Sequence, residues 1–447
     1  MNTILLIDYG ASRIKIALWD KKKDCLVKSL EVKSPSPTYS ERGEVENDPF
    51  EYWQILKGVL TNLIEDKYSI ESIWLCCEMH GAIFTDHKGN IFSKYIGWRD
   101  QRSIFIKKNK SSLFECLLAN SEMFFEISGM NLKPGLPFVT LAALTAQGII
   151  PKKVRIFTLA DWILWCAGEK NAKINGTLAA ATGLYDINNE KWSCSLLKVL
   201  GLENTQIIFP KVTNIREPIG TIHYMGQSIK VFGGLGDMQA AMYGATKDRD
   251  DSYGINIGTG SQIICNYSDE FHSYETRPGF FNKRKYTVFS HIPSGRVLSS
   301  FANFFDEIAT SSNGQPFFWH RFYNLTTSEV MDANLNIDLN LFSNNRDQFE
   351  GGAIKNIREN NLNHSNFLSS LALSWLLQYV KIIENLDQQK KRNFIIVFGG
   401  LGRKVKFVPE TLQILLNKEV KIFYPHTGEE TLDGLLKLSH LENISTT

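Results

Sequence analysis

An aspartate at a predicted junction between a strand and a helix is the first residue whose position suggests chemistry. Asp237 follows the run 232–236, where an apolar strand edge ends in glycines, and residues 238–243 are predicted to begin a helix. Backbone N–H groups and the helix dipole keep a carboxylate ionised there. The glycines let a ligand approach closely. The same features suit an ordinary helix cap, so this stretch alone leaves a catalytic and a structural interpretation open.

A glycine turn between two predicted strands lies near the start of the chain. Residues 3–7 and 14–19 are strand-like, and the turn between them carries Asp8, Gly10 and Ser12. Backbone N–H groups of such a turn can hold a phosphate, and its carboxylate can hold a hydrated magnesium ion. Hairpin turns commonly contain Asp and Gly for structural reasons alone.

The same pattern returns in the second half of the chain, over residues 255–264. Its turn contains Gly258, Thr259 and Gly260, and Gly258 aligns with Gly10. A motif that recurs in each half of a sequence indicates a duplicated fold. We therefore expect one phosphate-binding turn in each half.

Two stretches carry side chains suited to a hydroxylated ligand. The predicted strand 70–77 delivers Glu78, Met79 and His80 to its carboxyl end, where ligands gather in open α/β sheets. In the run 98–102, an aromatic ring offers an apolar platform and charged groups offer partners for hydroxyls. The alternatives are a histidine satisfied within the fold and a surface turn with an ion pair. A third stretch, 399–403, places glycines after a buried strand, where backbone can approach a flat or phosphorylated ligand.

Composition narrows the class of protein. The 447 residues predict two or three domains, and 43% hydrophobic with 21% charged residues predicts a globular chain. A net charge of +2 favours neither a nucleic-acid partner nor a membrane surface. The seven cysteines form no Cys-x-x-Cys pair, so neither a zinc site nor a disulfide framework is indicated. The start of the sequence has no basic leader, and Asp8 interrupts its apolar run, so we expect a cytoplasmic protein.

Taken in order, these motifs resemble those of the FGGY carbohydrate kinases, and within them the xylulokinase- and sedoheptulokinase-type ketose kinases. The resemblance runs from Ile4 to about Leu438. Each segment that carries it is similar to one family motif: Asp8 and Gly10 to the first phosphate loop, 78–81 to Gln-Met-His-Gly, 98–102 to Trp-x-Asp-x-Arg, 161–192 to the middle segment, 236–241 to the motif of the catalytic aspartate, 258–260 to the second phosphate loop, and 399–400 to the nucleotide-binding glycines.

The resemblance implies an α/β fold of the two-lobed, actin-like (ribonuclease-H-like) ATPase type, with a mixed sheet in each lobe and a central cleft. Residues 1–243 would form a sugar-binding lobe with the first phosphate hairpin and the catalytic aspartate. Residues 244–447 would form the nucleotide-binding lobe.

The resemblance also implies roles for individual residues. Asp237 would be the general base, and Asp8 would hold Mg²⁺ through water. Sugar would contact Glu78, Met79, His80, Trp98, Asp100 and Arg102. The nucleotide would contact Gly10, Ser12, Lys15, Gly258, Thr259, Gly260, Gly399 and Gly400. ATP and Mg²⁺ are the implied cofactors, a small-molecule sugar is the implied partner, and a homodimer is left open.

Three departures from the family pattern bear on the substrate. Ala11 replaces a threonine of the first loop, Glu78 replaces a glutamine, and 370–374 lacks the usual Arg-Ala…Glu-Gly pattern. The sequence therefore predicts an ATP-dependent kinase acting on a terminal hydroxyl of a ketose. The alternatives are a kinase for a polyol or a modified sugar, and a catalytically weakened or non-catalytic actin-like protein that binds sugar or nucleotide. An actin-like filament or chaperone ATPase has no support in residues 79–80 and 98–102.

Overall fold

A computed structural model describes residues 2–108, 110–247, 249–267, 274–280, 284–341, 351–387 and 391–443. The chain divides into two compact units. The first comprises Met1–Gly244, His272–Tyr286 and Pro425–Thr447, and the second comprises Ala245–Phe271 and Thr287–Tyr424. The first unit thus includes two segments that lie beyond the boundary predicted at residue 243.

The strands of the described residues are β1 (Asn2–Tyr9), β2 (Arg13–Asp20), β3 (Cys25–Lys33), β4 (Thr38–Tyr39), β5 (Val45–Asn47), β6 (Ser69–Cys77), β7 (Ile83–Asp86), β8 (Tyr95–Ile96), β9 (Lys107–Lys108), β10 (Ser111–Ser112), β11 (Lys153–Phe157), β12 (Lys173–Asn175), β13 (Tyr185–Asp186), β14 (Lys191–Trp192), β15 (Gln206–Ile208), β16 (Lys211–Thr213), β17 (Gly220–Tyr224), β18 (Gln227–Gly236), β19 (Ser252–Ile257), β20 (Ser261–Asn266), β21 (Thr276–Pro278), β22 (Lys285–Ile292), β23 (Asn336–Ile337), β24 (Ile354–Lys355), β25 (Phe394–Phe398) and β26 (Glu419–Ile422). The α-helices are α1 (Pro49–Glu65), α2 (Arg102–Phe105), α3 (Leu113–Leu118), α4 (Ser121–Ser128), α5 (Pro137–Ala146), α6 (Leu159–Cys166), α7 (Gly176–Ala181), α8 (Cys194–Val199), α9 (Asp237–Thr246), α10 (Gly295–Ser311), α11 (Phe318–Tyr323), α12 (Thr327–Met331), α13 (His364–Leu386), α14 (Gly400–Lys404), α15 (Val408–Leu416) and α16 (Glu430–Ser439).

A six-stranded mixed sheet forms the centre of the first unit, in the order β17-β18-β6-β1-β2-β3. Strands β18, β6 and β1 are parallel neighbours, whereas β1 and β2 form an antiparallel hairpin. Strand β1 is apolar on both faces because both faces are covered. Leu5 packs into the core that contains Leu56 of α1, and Leu6 packs into the core that contains Leu435 of α16. Burying each such side chain contributes roughly 1.5–3 kcal/mol.

The sheet of the second unit repeats part of this arrangement. Its strands follow the order β22-β20-β19-β25-β26. Strands β19 and β20 form an antiparallel hairpin, and β19 pairs in parallel with β25, as β1 does with β6. The hairpin predicted in each half of the sequence is therefore confirmed. Helix α13 supports the second hairpin, because the Tyr379 hydroxyl donates to Ser261 Oγ at 2.8 Å.

Several predicted elements agree with the structure to within a few residues. The strand predicted over 70–77 is β6, Ser69–Cys77, and the helix predicted to begin over 238–243 is α9, Asp237–Thr246. Glycines follow the buried strand β25 at 399–403, as predicted, and a short helix, α14, begins there at Gly400. Gly399, whose φ is 94°, makes the turn that separates β25 from this helix. No helix within the described ranges combines the length and apolar character needed to cross a membrane.

Candidate active site

Three carboxylates lie at one edge of the sheet in the first unit. Asp8 is paired in register with Cys76 of β6, and Gly236 at the end of β18 is paired with Cys77. Glu78 follows β6 directly, and Asp237 follows β18 directly. Because β1, β6 and β18 are parallel, their carboxyl ends meet at the same edge. Neighbouring strands lie about 4.8 Å apart, so the ends of β1 and β18 are about 10 Å apart.

Burial and mutual repulsion make these carboxyl groups hard to ionise, so the expectation that the helix start keeps Asp237 ionised is wrong. Burial, with a smaller effect of the Asp8 charge, raises the pKa of Asp237 to about 8. The Met238 N–H donates to Asp237 Oδ1 at 2.8 Å and opposes this rise. Burial also raises the pKa of Glu78 to about 7. Groups with such displaced pKa values at a sheet edge are candidates for proton transfer.

The Asp8 carboxylate is held from the far end of the sequence. Thr431 Oγ1 donates to Asp8 Oδ2 at 2.7 Å, and Cys76 Sγ lies 3.6 Å from Asp8 Oδ1. Lys15, opposite Asp8 in the β1–β2 hairpin, forms an ion pair with Glu429 at 2.6 Å. Sequence reasoning missed Glu429 and Thr431, because no local pattern links them to a hairpin more than 400 residues away.

The first glycine turn has a fixed shape. A Cβ atom on Gly10 would stand 2.9 Å from the Arg13 carbonyl oxygen, which favours glycine at this position. Ser34 Oγ donates to the Gly10 carbonyl at 2.7 Å, and the Ser34 N–H donates to the Ser12 carbonyl at 3.1 Å. The Ser12 side chain is exposed on this turn. The turn can therefore offer its N–H groups and the Ser12 hydroxyl to an anion without refolding.

Glu78 and Met79 lie beside Asp237. The Glu78 N–H donates to the Tyr9 carbonyl at 2.8 Å, which fixes the loop after β6 to the end of β1. Met79 packs against Gly236, where an added Cβ atom would stand 3.1 Å from the Met79 sulfur. The structure thus brings together the predicted base and the first two residues of the sugar motif.

Gly81 is required by a neighbouring aromatic ring. A Cβ atom at this position would overlap the Tyr95 hydroxyl. The buried Tyr95 hydroxyl and the Trp98 indole lie beside the Glu78 carboxyl and lower its pKa, although burial has the larger, opposite effect. Tyr95 thus forms a wall of the loop 78–81.

His80 is neutral and has a defined tautomer. Its Nδ1 lies 2.9 Å from the Ala181 carbonyl oxygen, which only accepts, so Nδ1 carries the proton. Burial and the positive charge of Arg277 lower the pKa of His80 to about 3. Its Nε2 is consequently a hydrogen-bond acceptor. The backbone φ of 65° that presents this ring is uncommon for a non-glycine residue.

Asp100 and Arg102 are occupied by each other. Asp100 Oδ1 accepts from Arg102 Nε at 2.9 Å, and its Oδ2 accepts from the Val45 N–H at 2.8 Å. Arg102 Nη2 also binds Glu46 at 2.7 Å. The structure therefore shows the ion pair that the sequence left open, and Asp100 is fully buried. Trp98, by contrast, is 51% exposed.

A charged cluster that the sequence did not predict lies near His80. Glu275 accepts from the backbone and side-chain nitrogens of Asn131 at 3.0 and 2.9 Å. Arg277 and Lys133 each lie 3.3 Å from its carboxylate. Burial raises the pKa of Glu275, but these two cations and Asn131 outweigh it and hold the pKa well below its usual range. The residues carry no recognisable spacing, so sequence reasoning had no signal for them.

The predicted nucleotide residues of the second unit lie on adjoining elements. The turn 258–260 packs on the first turn of α10, because the Gly295 N–H donates to the Gly258 carbonyl and the Arg296 N–H to the Thr259 carbonyl. Thr259 and Gly260 are exposed. A Cβ atom on Gly399 would stand 2.5 Å from the carbonyl oxygen of Ile257, so β25 ends directly beside β19. Gly400 has open space around it.

The donor set at the edge of the first sheet suits magnesium. Among the described residues, no group of three or more His, Cys, Asp or Glu side chains could enclose a metal ion. Mg²⁺ usually binds through one or two carboxylates and takes its other ligands from water and substrate phosphates. A single carboxylate such as Asp8, one oxygen of which accepts from the weak Cys76 donor, fits that pattern.

Solved structures show the class of fold. Xylulose kinase from Lactobacillus acidophilus superposes with a TM-score of 0.80 at 17% identity, covering 99% of this chain and 89% of that chain. Glycerol kinase from Plasmodium falciparum, solved with ADP, gives a TM-score of 0.76 at 17% identity and covers 99% and 92%. The chain has the two-lobed actin-like kinase fold, with a mixed sheet in each lobe, as the sequence predicted.

The family follows from the sequence comparison. The N-terminal domain of the FGGY family of carbohydrate kinases matches residues 3–244, more than half of the chain. The chain belongs to the FGGY family of carbohydrate kinases. Glycerol kinase from Chromobacterium violaceum is 26% identical over 279 residues, which are 60% of this chain and 54% of that protein. The match thus spans about half the length of such curated relatives.

Proposed function

We propose that this chain is an ATP-dependent carbohydrate kinase that transfers the γ-phosphoryl group to a terminal hydroxyl of a ketose or a small polyol. The observation that carries the proposal is the placement of Asp8, Glu78 and Asp237 at one sheet edge. It puts two carboxylates on nearby strands, one that can accept a proton and one that can hold a metal ion. Family membership supports the same reaction.

Asp237 is the proposed general base. Its raised pKa makes it a stronger base than an ordinary aspartate, and Met238 fixes one of its oxygens. Phosphoryl transfer passes through a loose transition state, so positioning and neutralisation of charge matter more than base strength. Asp237 therefore orients the attacking hydroxyl and takes its proton as the bond to phosphorus forms.

Asp8 is the proposed holder of hydrated Mg²⁺. When bound, the ion neutralises charge that develops on the phosphates. The proposed phosphate contacts are Gly10 and Ser12 of the first turn with Lys15 of β2, and Gly258, Thr259 and Gly260 of the second turn. Gly399 and Gly400 are the proposed contacts to the rest of the nucleotide. The ADP in the structure of the Plasmodium falciparum relative supports a nucleotide as the ligand.

The sugar is proposed to contact Glu78, Met79, His80 and Trp98. His80 Nε2 and the Glu78 carboxylate are acceptors, so they suit a ligand that donates hydrogen bonds from several hydroxyls. Asp100 and Arg102 were predicted to contact the sugar as well. Their mutual ion pair favours an indirect role, in which they tie the run 98–102 to Val45 and Glu46 of β5.

The ketose and the polyol remain alternatives within this proposal. The fold relative named above as a xylulose kinase favours a ketose such as xylulose. The curated relatives named glycerol kinase favour a polyol. A homodimer and a cytoplasmic location remain predictions.

The test is ADP release by the purified protein with a panel of ketoses, aldoses and polyols. We expect one compound to stimulate release strongly. Asp237→Asn should bind that compound and ATP but turn over roughly 10²–10⁴-fold more slowly. Retention of more than a tenth of the wild-type rate would exclude Asp237 as the base. Binding of sugar and nucleotide without ADP release from any compound would favour the non-catalytic alternative.

A further inference from the structure

The segment 427–433, near the end of the first unit, contacts the hairpin β1–β2 at two side chains. Thr431 Oγ1 donates to Asp8 Oδ2 at 2.7 Å. Glu429 Oε2 lies 2.6 Å from Lys15 Nζ. Asp8 and Lys15, the charged residues of this hairpin that are proposed to serve the nucleotide, are therefore both held by this segment.

The segment is itself rigidly held. Asp433 Oδ1 accepts from the Thr427 N–H and from Thr427 Oγ1, each at 2.8 Å, and the Asp433 N–H donates to the Glu429 carbonyl at 3.0 Å. Helix α16 buries Leu432 and Leu435 in the core that also contains Ile4 and Leu6 of β1. Glu429 and Thr431 thus approach the hairpin from a helix start that is packed against the same strand.

The contact distinguishes the two oxygens of Asp8. A threonine hydroxyl has one proton to donate, and a carboxylate only accepts, so the bond to Oδ2 has a defined direction. Within the described residues, the donor bonded to Oδ1 is the Cys76 thiol, at 3.6 Å, and a thiol is a weak donor. Thr431 therefore fixes the rotation of the carboxylate and leaves Oδ1 as the oxygen with free acceptor capacity.

We propose that Thr431 is a positioning residue that holds Asp8 for a magnesium–nucleotide complex. The inference rests on the proposed function for the role of Asp8. Groups that orient metal-binding carboxylates commonly change metal affinity or activity roughly 10–100-fold when they are removed. Thr431 should accordingly affect the binding of nucleotide with Mg²⁺ and leave the binding of nucleotide without Mg²⁺ unchanged.

The test is equilibrium binding of ADP to the full chain by titration calorimetry across a series of Mg²⁺ concentrations. Thr431→Val removes the hydroxyl and keeps the shape. It should raise the Mg²⁺ concentration for half-maximal ADP binding roughly 10–100-fold, and affinity in the presence of a chelator should match the wild type. Thr431→Ser should restore the wild-type dependence. Ser439→Ala is the matched control, because it removes a buried hydroxyl that, among the described residues, donates to the Leu436 carbonyl of the same helix.

Wild-type Mg²⁺ dependence in Thr431→Val would overturn the inference. Equal loss of ADP binding with and without Mg²⁺ would also overturn it, since that result indicates a purely structural role. If the valine variant does not fold, Thr431→Ala takes its place in the same titration. Turnover by the wild type on the sugar panel reports separately on the proposed function. The inference about Thr431 can therefore fail while the kinase assignment holds, and the kinase assignment can fail while the inference holds.

Discussion

Asp8 and Asp237 lie at the same edge of the sheet, on the two strands that flank β6. The charge of Asp8 adds to burial in raising the pKa of Asp237. A base must be deprotonated to act, and this one has a pKa of about 8. We therefore expect kcat/KM to rise about tenfold per pH unit below pH 8 and to level off above it. A profile of kcat/KM against pH, from 5.5 to 9.5 with saturating MgATP, measures this rising limb.

The Glu78 charge provides a control on the assignment of this rising limb to Asp237. It also raises the pKa of Asp237, with a smaller effect than burial and Asp8. Glu78→Gln should therefore move the rising limb to lower pH. An unmoved limb in Glu78→Gln, or a wild-type profile that is already flat at pH 5.5, would contradict the assignment of the limb to Asp237.

The same raised pKa predicts the stability of Asp237→Asn. Between its ordinary pKa of 3.8 and about 8, Asp237 holds a proton in the folded protein and loses it in the unfolded chain. The folded state binds more protons over this window, so the contribution of this group to stability is lost as pH rises. Asparagine has no such loss. The Tm of Asp237→Asn should match the wild type near pH 4 and exceed it increasingly up to pH 8.

Asp186 offers a control of opposite sign. Burial raises its pKa, but hydrogen bonds from Asn189 and Asn188 outweigh that effect and lower it. Asp186→Asn should therefore reduce Tm at neutral pH and lose this effect at acid pH. A Tm difference for Asp237→Asn that does not change with pH would refute the linkage.

The sequence indicated the parts of the site that depend on local pattern. Asp8, Glu78 and Asp237 each follow an apolar strand, and parallel strands bring such residues to one edge. Thr431 was missed because its contact with Asp8 spans 423 residues. The ring and charged groups of the run 98–102 suggested ligand contacts, although an acid and a base so close in sequence can equally satisfy each other, as Asp100 and Arg102 do here.

Gly81 tests how the sugar motif is shaped. A Cβ atom at this position would overlap the buried Tyr95 hydroxyl, so Gly81→Ala must displace Tyr95 or the loop beside Glu78. Overpacking of this kind typically costs about 1–3 kcal/mol. We expect a lower free energy of unfolding in urea and a raised KM for the sugar, with little change in KM for ATP.

Gly58 is the matched glycine for that experiment. It lies in helix α1, and an added Cβ atom there meets nothing within 4 Å. Gly58→Ala should stabilise the helix by about 0.5–1 kcal/mol and leave both KM values unchanged. If Gly81→Ala behaves like Gly58→Ala, the contact between Gly81 and Tyr95 does not shape the site.

Glu429→Gln examines whether Lys15 serves as a counter-charge for phosphate. Lys15 is only partly buried and is neutralised by Glu429 at 2.6 Å, so the hairpin carries little net charge from this pair. Removing the negative charge leaves the ammonium group available to an anion. Because ion pairs at such exposure contribute about 0.2–1 kcal/mol, ADP should bind about two- to fivefold more tightly at low salt, and the gain should disappear at high salt.

Glu71→Gln is the control for this experiment. It changes the net charge equally, but the partner of Glu71 is Lys21, and Glu71 lies at the other end of β6. An equal gain in Glu71→Gln would reduce the effect to overall charge, and weaker binding in Glu429→Gln would show that Glu429 serves the nucleotide by holding Lys15 in place.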